Sequence, residues 1–265
     1  GGEDNERFHS KYDGISLSSK TIYNCPDANT QQGTHESVFC ARPTEHPYQV
    51  SNWSEMKDYY DPNDVIRAAA MMVSVSDQFK GNNNFEYDLV DIVRQAIAEK
   101  GRLTEKVVEA AFAAGDKKLY KDASDRFLRL ILLQDELLAT RPEFKVGTWI
   151  ARARSLGNTS EEKDLYEWNA RVQITTWGNR LAADEGGLRD YAHREWNGIL
   201  KDFYYMRWKT WFDYQTRLLD GKKTAAIDFY AIEEPWTKQT NPYSNEPEGD
   251  CIPTVQRIFA EIFGK

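Results

Sequence analysis

Adjacent acidic residues are the first groups in this sequence that could do chemistry. They occur as the pairs Glu161 and Glu162, Asp184 and Glu185, and Glu233 and Glu234. Hydrolysis of a glycosidic bond needs two carboxyl groups about 5–10 Å apart across a pocket, one of them with a raised pKa. Acids that are neighbours in a capping box or a loop are usually solvated instead. We therefore assign no catalytic residue to this chain.

Tryptophan is concentrated in the middle of the chain, where six of the eight tryptophans lie between residues 149 and 211. Most of these rings should fill the core. Trp177 differs, because it ends a helical pattern and is followed by Gly178, Asn179 and a polar loop up to Gly187. An indole beside such a loop is a candidate platform for a sugar ring, and the alternative is an indole at the edge of the core.

Cysteine and histidine do not form the spacings of a metal site. Cys25, Cys40 and Cys251 make no CxxC pair, and the four histidines are scattered. The GxGxxG, GxxxxGK[ST], GxSxG and HExxH motifs are also absent, so we predict no metal and no cofactor. Cys25 and Cys40 could form a disulfide, but buried inert thiols are the interpretation that we favour.

Composition excludes two classes of partner. The 265 residues include 42 acidic and 34 basic side chains, a formal net charge of −8, and no basic stripe is visible. We therefore expect no nucleic-acid partner. No apolar run approaches the ~20 residues that a membrane helix needs, so we expect no membrane partner either.

The elements that must position these residues are helices. Residues 1–61 are rich in turn-forming residues and predict an irregular, extended N-terminal segment. From residue 62 to residue 265 apolar residues recur at helical spacing. Pro62 is typical of a first helical turn, and Asp116 is a candidate cap.

Two further patterns predict long helices in the second half of the chain. Thr159 and Glu162 have the spacing of a capping box, and the helix that follows should run to about Trp177 with both of its apolar stripes covered. A second long helix is predicted over residues 188–220. Because no stretch alternates as a strand would, the predicted fold class is all-α, an irregular bundle of seven to nine helices.

Several ordered motifs carry a family resemblance. They are residues 22–25 (IYNC), 41–43 (ARP), 87–95 (YDLVDIVRQ), 166–177 (YEWNARVQITTW), 188–192 (LRDYA) and 204–208 (YYMRW). In this order they resemble the C-terminal part of the α-N-acetylglucosaminidases of glycoside hydrolase family 89. The resemblance covers nearly the whole chain from about residue 20.

The resemblance implies an activity that this chain alone should lack. Members of the family are secreted, periplasmic or lysosomal, and they remove terminal α-linked N-acetylglucosamine with retention of configuration. Their two catalytic glutamates lie on a (β/α)8 barrel that precedes this region, and this sequence shows no alternating βα pattern. The chain is thus expected to be an accessory domain that is inactive by itself, with residues 1–61 along the interface with the barrel.

The resemblance also implies which residues bind the glycan. The matching positions are Trp177, Leu188 and Tyr191, and His35 is a looser match because loop lengths vary there. Four polar residues in the motifs are interpreted as buried struts behind the pocket, namely Asn169, Arg171, Asp190 and Arg207. The alternative to the whole assignment is a free-standing helical module that binds carbohydrate or another protein unaided.

Overall fold

The computed structural model describes residues 37–45, 60–185, 188–240 and 242–264. Within these ranges the chain forms nine α-helices and no β-strand, so the predicted all-α bundle is confirmed. An isolated parallel bridge joins Lys145 to Asn197. His35, Cys25 and most of the predicted N-terminal segment lie outside the described residues.

Three helices form the first half of the bundle: α1 over Pro62–Val75, α2 over Asn83–Ala113 and α3 over Lys117–Ala139. The side chain of Asp61 accepts the amide of Asn63 at 2.9 Å, and Pro62 occupies the first turn of α1, as predicted. Asp116 caps α3 by accepting the amide of Leu119 at 2.9 Å. Helix α2 packs along α3 and α1 and is the longest element.

The Ala-Arg-Pro motif lies beside a short 3-10 turn, Val38–Cys40, which is buried among these helices. The Phe39 ring meets the Phe127 ring edge-on at 5.2 Å. Gly101 in α2 makes this possible, because a Cβ there would lie 2.5 Å from the Phe39 ring. Cys40 is a buried free thiol, whereas Cys25 lies outside the described residues.

The second half begins with α4 over Val146–Arg154 and α5 over Ser160–Gln173. Both hydrogen bonds of the predicted capping box between Thr159 and Glu162 are present. The prediction that both stripes of α5 are covered is wrong, because Leu165 is 56% exposed and Trp168 is 44% exposed. Helix α5 packs on α4 and on a later helix by its other face, and this stripe points outward.

The predicted long helix over residues 188–220 is also wrong. A short helix, α6 over Arg180–Asp184, precedes irregular backbone, and helical structure resumes only with a π turn over Leu200–Tyr204 that leads into α7, Tyr205–Leu219. Asp190, His193 and Gly198 all have positive φ angles, which an α-helix excludes.

A buried carboxylate explains why this helix starts where it does. Asp135 on α3 accepts the backbone amides of Gly198 at 2.7 Å and Lys201 at 3.2 Å, as an N-cap does. A side chain at Gly198 would lie 2.7 Å from Val146, so only glycine fits there. The bundle is completed by α8 over Phe229–Thr237 and α9 over Cys251–Phe263.

None of the helices in the described part of the chain combines the length and apolar character required to cross a membrane.

Candidate functional site

Trp177 lies in the turn that ends α5, four residues beyond the last helical residue. Its amide donates to the carbonyl of Val172 at 2.8 Å, and its φ angle of 62° is left-handed. Such a conformation is uncommon for a bulky residue and is found where the surrounding structure enforces it. The buried residues Thr175 and Thr176 anchor this turn, and the indole of Trp177 remains 38% exposed.

Tyr191 lies beside Trp177, in the irregular segment before α7. Its ring centroid is 5.4 Å from that of Trp177, with an interplanar angle of 62°. Tyr191 is 51% exposed, so both rings present surface to solvent. Leu188 is half-buried, and its carbonyl accepts the Tyr191 amide at 3.2 Å. Three of the four predicted glycan-binding residues therefore lie near one another, and the fourth, His35, is outside the described residues.

One backbone hydrogen bond joins the two segments that carry the Trp177 and Tyr191 rings. The amide of Asp190 donates to the carbonyl of Thr175 at 2.7 Å. Thr175 is two residues before Trp177, and Asp190 is the residue before Tyr191. The end of α5 and the 188–193 segment are thus joined directly behind the aromatic pair.

The side chain of Asp190 is held by a buried guanidinium. Arg207 donates from Nη1 to Oδ2 at 2.9 Å and from Nη2 to Oδ1 at 2.8 Å. Asp190 is 1% exposed and Arg207 is fully buried, which confirms the expectation that they are paired struts. Burial raises the pKa of Asp190, and the charge of Arg207 opposes that shift.

Glu233 extends this pair into a network. Arg207 Nε lies 2.8 Å from Glu233 Oε1, and both side chains have no exposed surface. The expectation that the Glu233 and Glu234 pair is solvated is therefore wrong for Glu233. Its burial could have been predicted from its position in α8. Tyr230 and Trp236 lie three residues before and after it, on the same face of the helix, and they are buried too.

Arg171 is the second buried strut that the sequence predicted. It donates to Glu167 from Nε at 2.8 Å and from Nη2 at 2.7 Å. Its guanidinium carbon lies 4.7 Å from the Trp236 ring centroid and 5.2 Å from that of Tyr243, a cation–π arrangement on two rings. The same prediction is wrong for Asn169, which is exposed on α5.

A cavity of about 410 Å³ has Trp177 in its lining but not Tyr191. Trp149 from α4 and Trp196 from the segment before α7 form its wall, with ring centroids 6.2 Å apart. Lys145, Arg152 and Arg194 also line it. This volume lies in the range of small-ligand sites, in which aromatic walls and a few polar groups are typical.

Besides Asp190, the carboxyl groups of Glu105 and Asp135 have pKa values well above those of ordinary side chains. Burial raises the pKa of Glu105 on α2 to about 8, with Glu109 adding to the shift. Burial raises the pKa of Asp135 to about 6, although the amides of Gly198 and Lys201 oppose it. Asp135 is engaged in capping, and Glu109 lies on the helix of Glu105, one turn along. Neither therefore forms a pair of acids facing each other across a cleft.

Groups of three or more candidate metal ligands are absent from the described ranges. What the geometry offers is an exposed aromatic corner supported by buried ion pairs, which is suited to stacking on a ring rather than to bond cleavage.

Comparisons of the sequence with known proteins give matches over most of the chain. The family model described as the alpha-N-acetylglucosaminidase (NAGLU) C-terminal domain matches residues 11–261. The human protein alpha-N-acetylglucosaminidase is 26% identical over 254 residues, which are 92% of this chain and 32% of the human protein.

Solved structures give the same result at the level of the fold. A family 89 glycoside hydrolase from Clostridium perfringens, in complex with 2-acetamido-1,2-dideoxynojirmycin, has a TM-score of 0.85 and 34% identity over 94% of this chain and 29% of that chain. The Clostridium perfringens protein in complex with PUGNAc has a TM-score of 0.85 and 32% identity over 98% of this chain and 31% of that chain. A third structure holds its substrate GlcNAc-alpha-1,4-galactose. The chain spans about a third of the length of these relatives.

Proposed function

Because this chain belongs to the family of α-N-acetylglucosaminidase C-terminal domains, we propose that it supplies one wall of a pocket for a terminal α-linked N-acetylglucosamine residue. The observation that carries the proposal is the exposed pair of rings, Trp177 and Tyr191, at 5.4 Å. An indole face stacks on the C–H face of a pyranose, and a phenol at its edge adds a hydroxyl for the sugar's polar groups. Leu188 borders this corner, and His35 is proposed to complete it.

The catalytic step is assigned to a part of the parent enzyme outside this chain. We propose that two glutamates on a (β/α)8 barrel act as acid and nucleophile, with retention of configuration. The role of this chain is then to hold the sugar so that the reacting carbon meets those carboxylates, which lowers the entropic part of the barrier. No cofactor takes part in this scheme, and we propose a secreted or periplasmic location.

The buried acids near Trp177 and Tyr191 support a role in binding the sugar without a role in bond cleavage. Asp190 and Glu233 are both engaged by Arg207. Both oxygens of Asp190 accept hydrogen bonds from Arg207, and the side chain of Glu233 has no exposed surface, so neither carboxyl group can reach the glycosidic oxygen of a bound sugar. These groups are suited to fix backbone positions rather than to protonate a leaving group.

The first test is an assay of the purified 265-residue chain with a chromogenic α-N-acetylglucosaminide. We expect no turnover, and hydrolysis by this chain would refute the assignment of the catalyst to the barrel.

The second test places Trp177→Ala in a protein that contains both this chain and the barrel. We expect KM to rise about tenfold or more, the equivalent of ~1.4 kcal/mol of binding.

Trp168→Ala is the matched control for this variant. Trp168 and Trp177 are exposed to similar extents, 44% and 38%, but Trp168 lies on the outward stripe of α5. We expect its KM to equal that of the parent protein. Equal KM values for the Trp177 and Trp168 variants would contradict the proposed wall.

The alternative, a free-standing carbohydrate-binding module, is favoured by one observation: three tryptophans line a cavity in this chain alone. Calorimetry of the chain with neutral N-acetylglucosamine separates the two. Millimolar or tighter binding that is lost in Trp177→Ala would favour the module, whereas a wall that needs the barrel predicts no measurable heat.

A further inference from the structure

The cavity beside Trp177 has features that a wall for one terminal sugar does not require. It is about 410 Å³ in volume and is lined by residues of α4, of the turn after α5 and of the segment before α7. Trp177 lines this cavity and Tyr191 does not, whereas Trp149 and Trp196 belong to the cavity alone. We infer that this cavity is a binding site for a saccharide unit that carries an acidic group, a carboxylate or a sulfate.

The aromatic lining argues for a saccharide rather than a simple ion. Trp149 is held in place, because its Nε1 donates to the carbonyl of Ala170 at 2.9 Å. Trp196 is tilted by 47° to Trp149 with centroids 6.2 Å apart, and both rings are half-buried. Fixed indole rings at the edge of an open cavity offer apolar faces to a pyranose without losing side-chain entropy on binding.

The charges that line the cavity argue for an acidic ligand. Lys145 forms an ion pair with Glu248, to which its Nζ donates a hydrogen bond at 2.5 Å. Glu143 is the cavity's acidic residue, and it accepts a hydrogen bond from Arg141 at 2.9 Å. Arg152 and Arg194 also line the cavity, and none of the ion pairs between described residues includes either of them. Two permanently charged guanidinium groups therefore remain at the rim of a protein whose net charge is −8.

Arg194 connects the two kinds of lining. Its guanidinium carbon lies 5.5 Å from the centroid of the Trp196 ring. An arginine stacked on an indole keeps its N–H edge free, and that edge matches the two oxygens of a carboxylate or a sulfate. A pyranose against the indoles would thus place an acidic substituent within reach of Arg194 and Arg152.

The inference extends the proposed function, with which it shares only Trp177. Its test therefore uses ligands and variants that the proposed wall does not involve. The 265-residue protein is titrated with two matched pairs of probes: methyl α-D-glucuronide against methyl α-D-glucoside, and N-acetylglucosamine 6-sulfate against N-acetylglucosamine. Inorganic sulfate is the control for an anion without a sugar. Binding is followed by the indole N–H signals of the tryptophans in nuclear magnetic resonance spectra.

We expect at least one acidic probe to bind about tenfold more tightly than its neutral partner, and to shift the signals of Trp177 and Trp196 but not that of fully buried Trp208. The glucuronide and sulfate arms separate the two sources of negative charge. An acidic probe that binds no better than its neutral partner in either arm would overturn the inference. Inorganic sulfate that binds as tightly as the sugar sulfate would also overturn it, because the indoles would then have no role.

The variants are chosen at exposed positions so that folding is preserved. The double variant Arg152→Gln, Arg194→Gln should lose most of the preference for acidic probes, about tenfold, and its binding should no longer weaken with added salt. Arg217→Gln is the control, because Arg217 is also exposed but does not line the cavity. If the double variant and the control bind the acidic probes equally, the inference is wrong, whatever the outcome for Trp177→Ala in the complete enzyme.

Discussion

Arg42 donates two hydrogen bonds to Glu233, from Nε to Oε1 at 2.9 Å and from Nη2 to Oε2 at 2.5 Å. The two residues are 191 positions apart, so the bond joins the Ala-Arg-Pro motif to α8. Arg42 also donates from Nη1 to Asp184 at 2.7 Å, next to the loop that follows Trp177. The ion pairs therefore form a chain from Asp184 through Arg42, Glu233 and Arg207 to Asp190.

This chain of charges explains how an irregular loop can hold a fixed shape. Asp190 has a φ angle of 59°, a conformation that costs about 1–3 kcal/mol and persists only where other contacts require it. The two hydrogen bonds from Arg207 are such contacts. The Tyr191 ring thus takes its position from residues that are buried and never touch the proposed sugar.

Removing the charge of Glu233 should unfold or strongly destabilise the protein. Glu233→Gln keeps the shape of the side chain but leaves buried Arg207 and partly buried Arg42 with less compensation, and we expect a loss of roughly 3–5 kcal/mol in the free energy of unfolding. The measurement is urea denaturation followed by circular dichroism.

Glu234→Gln provides the control in the adjacent position. Glu234 pairs with Lys238 at 2.9 Å, and the two side chains are 38% and 58% exposed. An exposed pair of this kind contributes roughly 0–1 kcal/mol. Similar losses in the two variants would show that burial of the network does not govern stability.

A substitution at Arg171 can show whether the shape of the guanidinium, and not only its charge, stabilises the protein. Arg171→Lys keeps the cation but loses the two hydrogen bonds that converge on Glu167 Oε1 and the cation–π contacts with Trp236 and Tyr243. We expect the free energy of unfolding to fall by about 1–3 kcal/mol. Denaturation with guanidinium chloride at constant pH measures this loss.

Arg180→Lys is the exposed counterpart of that substitution. Arg180 also lies over a ring, 4.8 Å from the centroid of Tyr230, and also pairs with a carboxylate, Asp228, at 2.7 Å. However, its side chain is 53% exposed. We expect a loss below about 1 kcal/mol, and a loss equal to that of Arg171→Lys would contradict the importance of burial.

The sequence predicted the helices wherever local signals agree with the tertiary structure. Apolar spacing, Pro62, Asp116 and the capping box at Thr159 act within a few residues, and each is found as predicted. The segment at residues 188–199 has helical spacing as well, but its structure is decided by partners that are distant in sequence. Asp135 caps the helix at Gly198, and Arg207 holds Asp190 in a left-handed conformation.

The residues of the candidate site could likewise be predicted only where a local sequence signal exists. Trp177 could be selected from its place between a helical pattern and a glycine-bearing loop, whereas its neighbour Tyr191 was found by resemblance, since its own segment was expected to be helical. The cavity behind Trp177 was not predicted, because Trp149 and Trp196 are 47 positions apart and meet only in the folded chain. Tertiary proximity of this kind has no local signal.

The capping box at α5 should contribute a small, measurable stability. Thr159→Ala removes the hydroxyl that accepts the Glu162 amide at 3.2 Å, and a lost N-cap costs about 1 kcal/mol. We expect a lower thermal midpoint in calorimetry. Thr224→Ala is the control, since Thr224 caps no helix, and a midpoint shifted equally by both variants would contradict the role of the cap.

Glu105 should make the stability of this protein depend on pH. Its pKa is about 8 in the folded protein and near 4.5 as an ordinary glutamate. Between these values the folded state holds a proton that the unfolded state has released, so the free energy of unfolding falls as pH rises through this window and levels off above it. Glu105→Gln removes the titration, and the variant should gain roughly 2–4 kcal/mol over the parent protein between pH 5 and pH 8. Urea denaturation at both pH values measures the gain, with exposed Glu185→Gln as the control. Parallel pH profiles for the parent and the Glu105 variant would show that Glu105 is ionised in the folded protein.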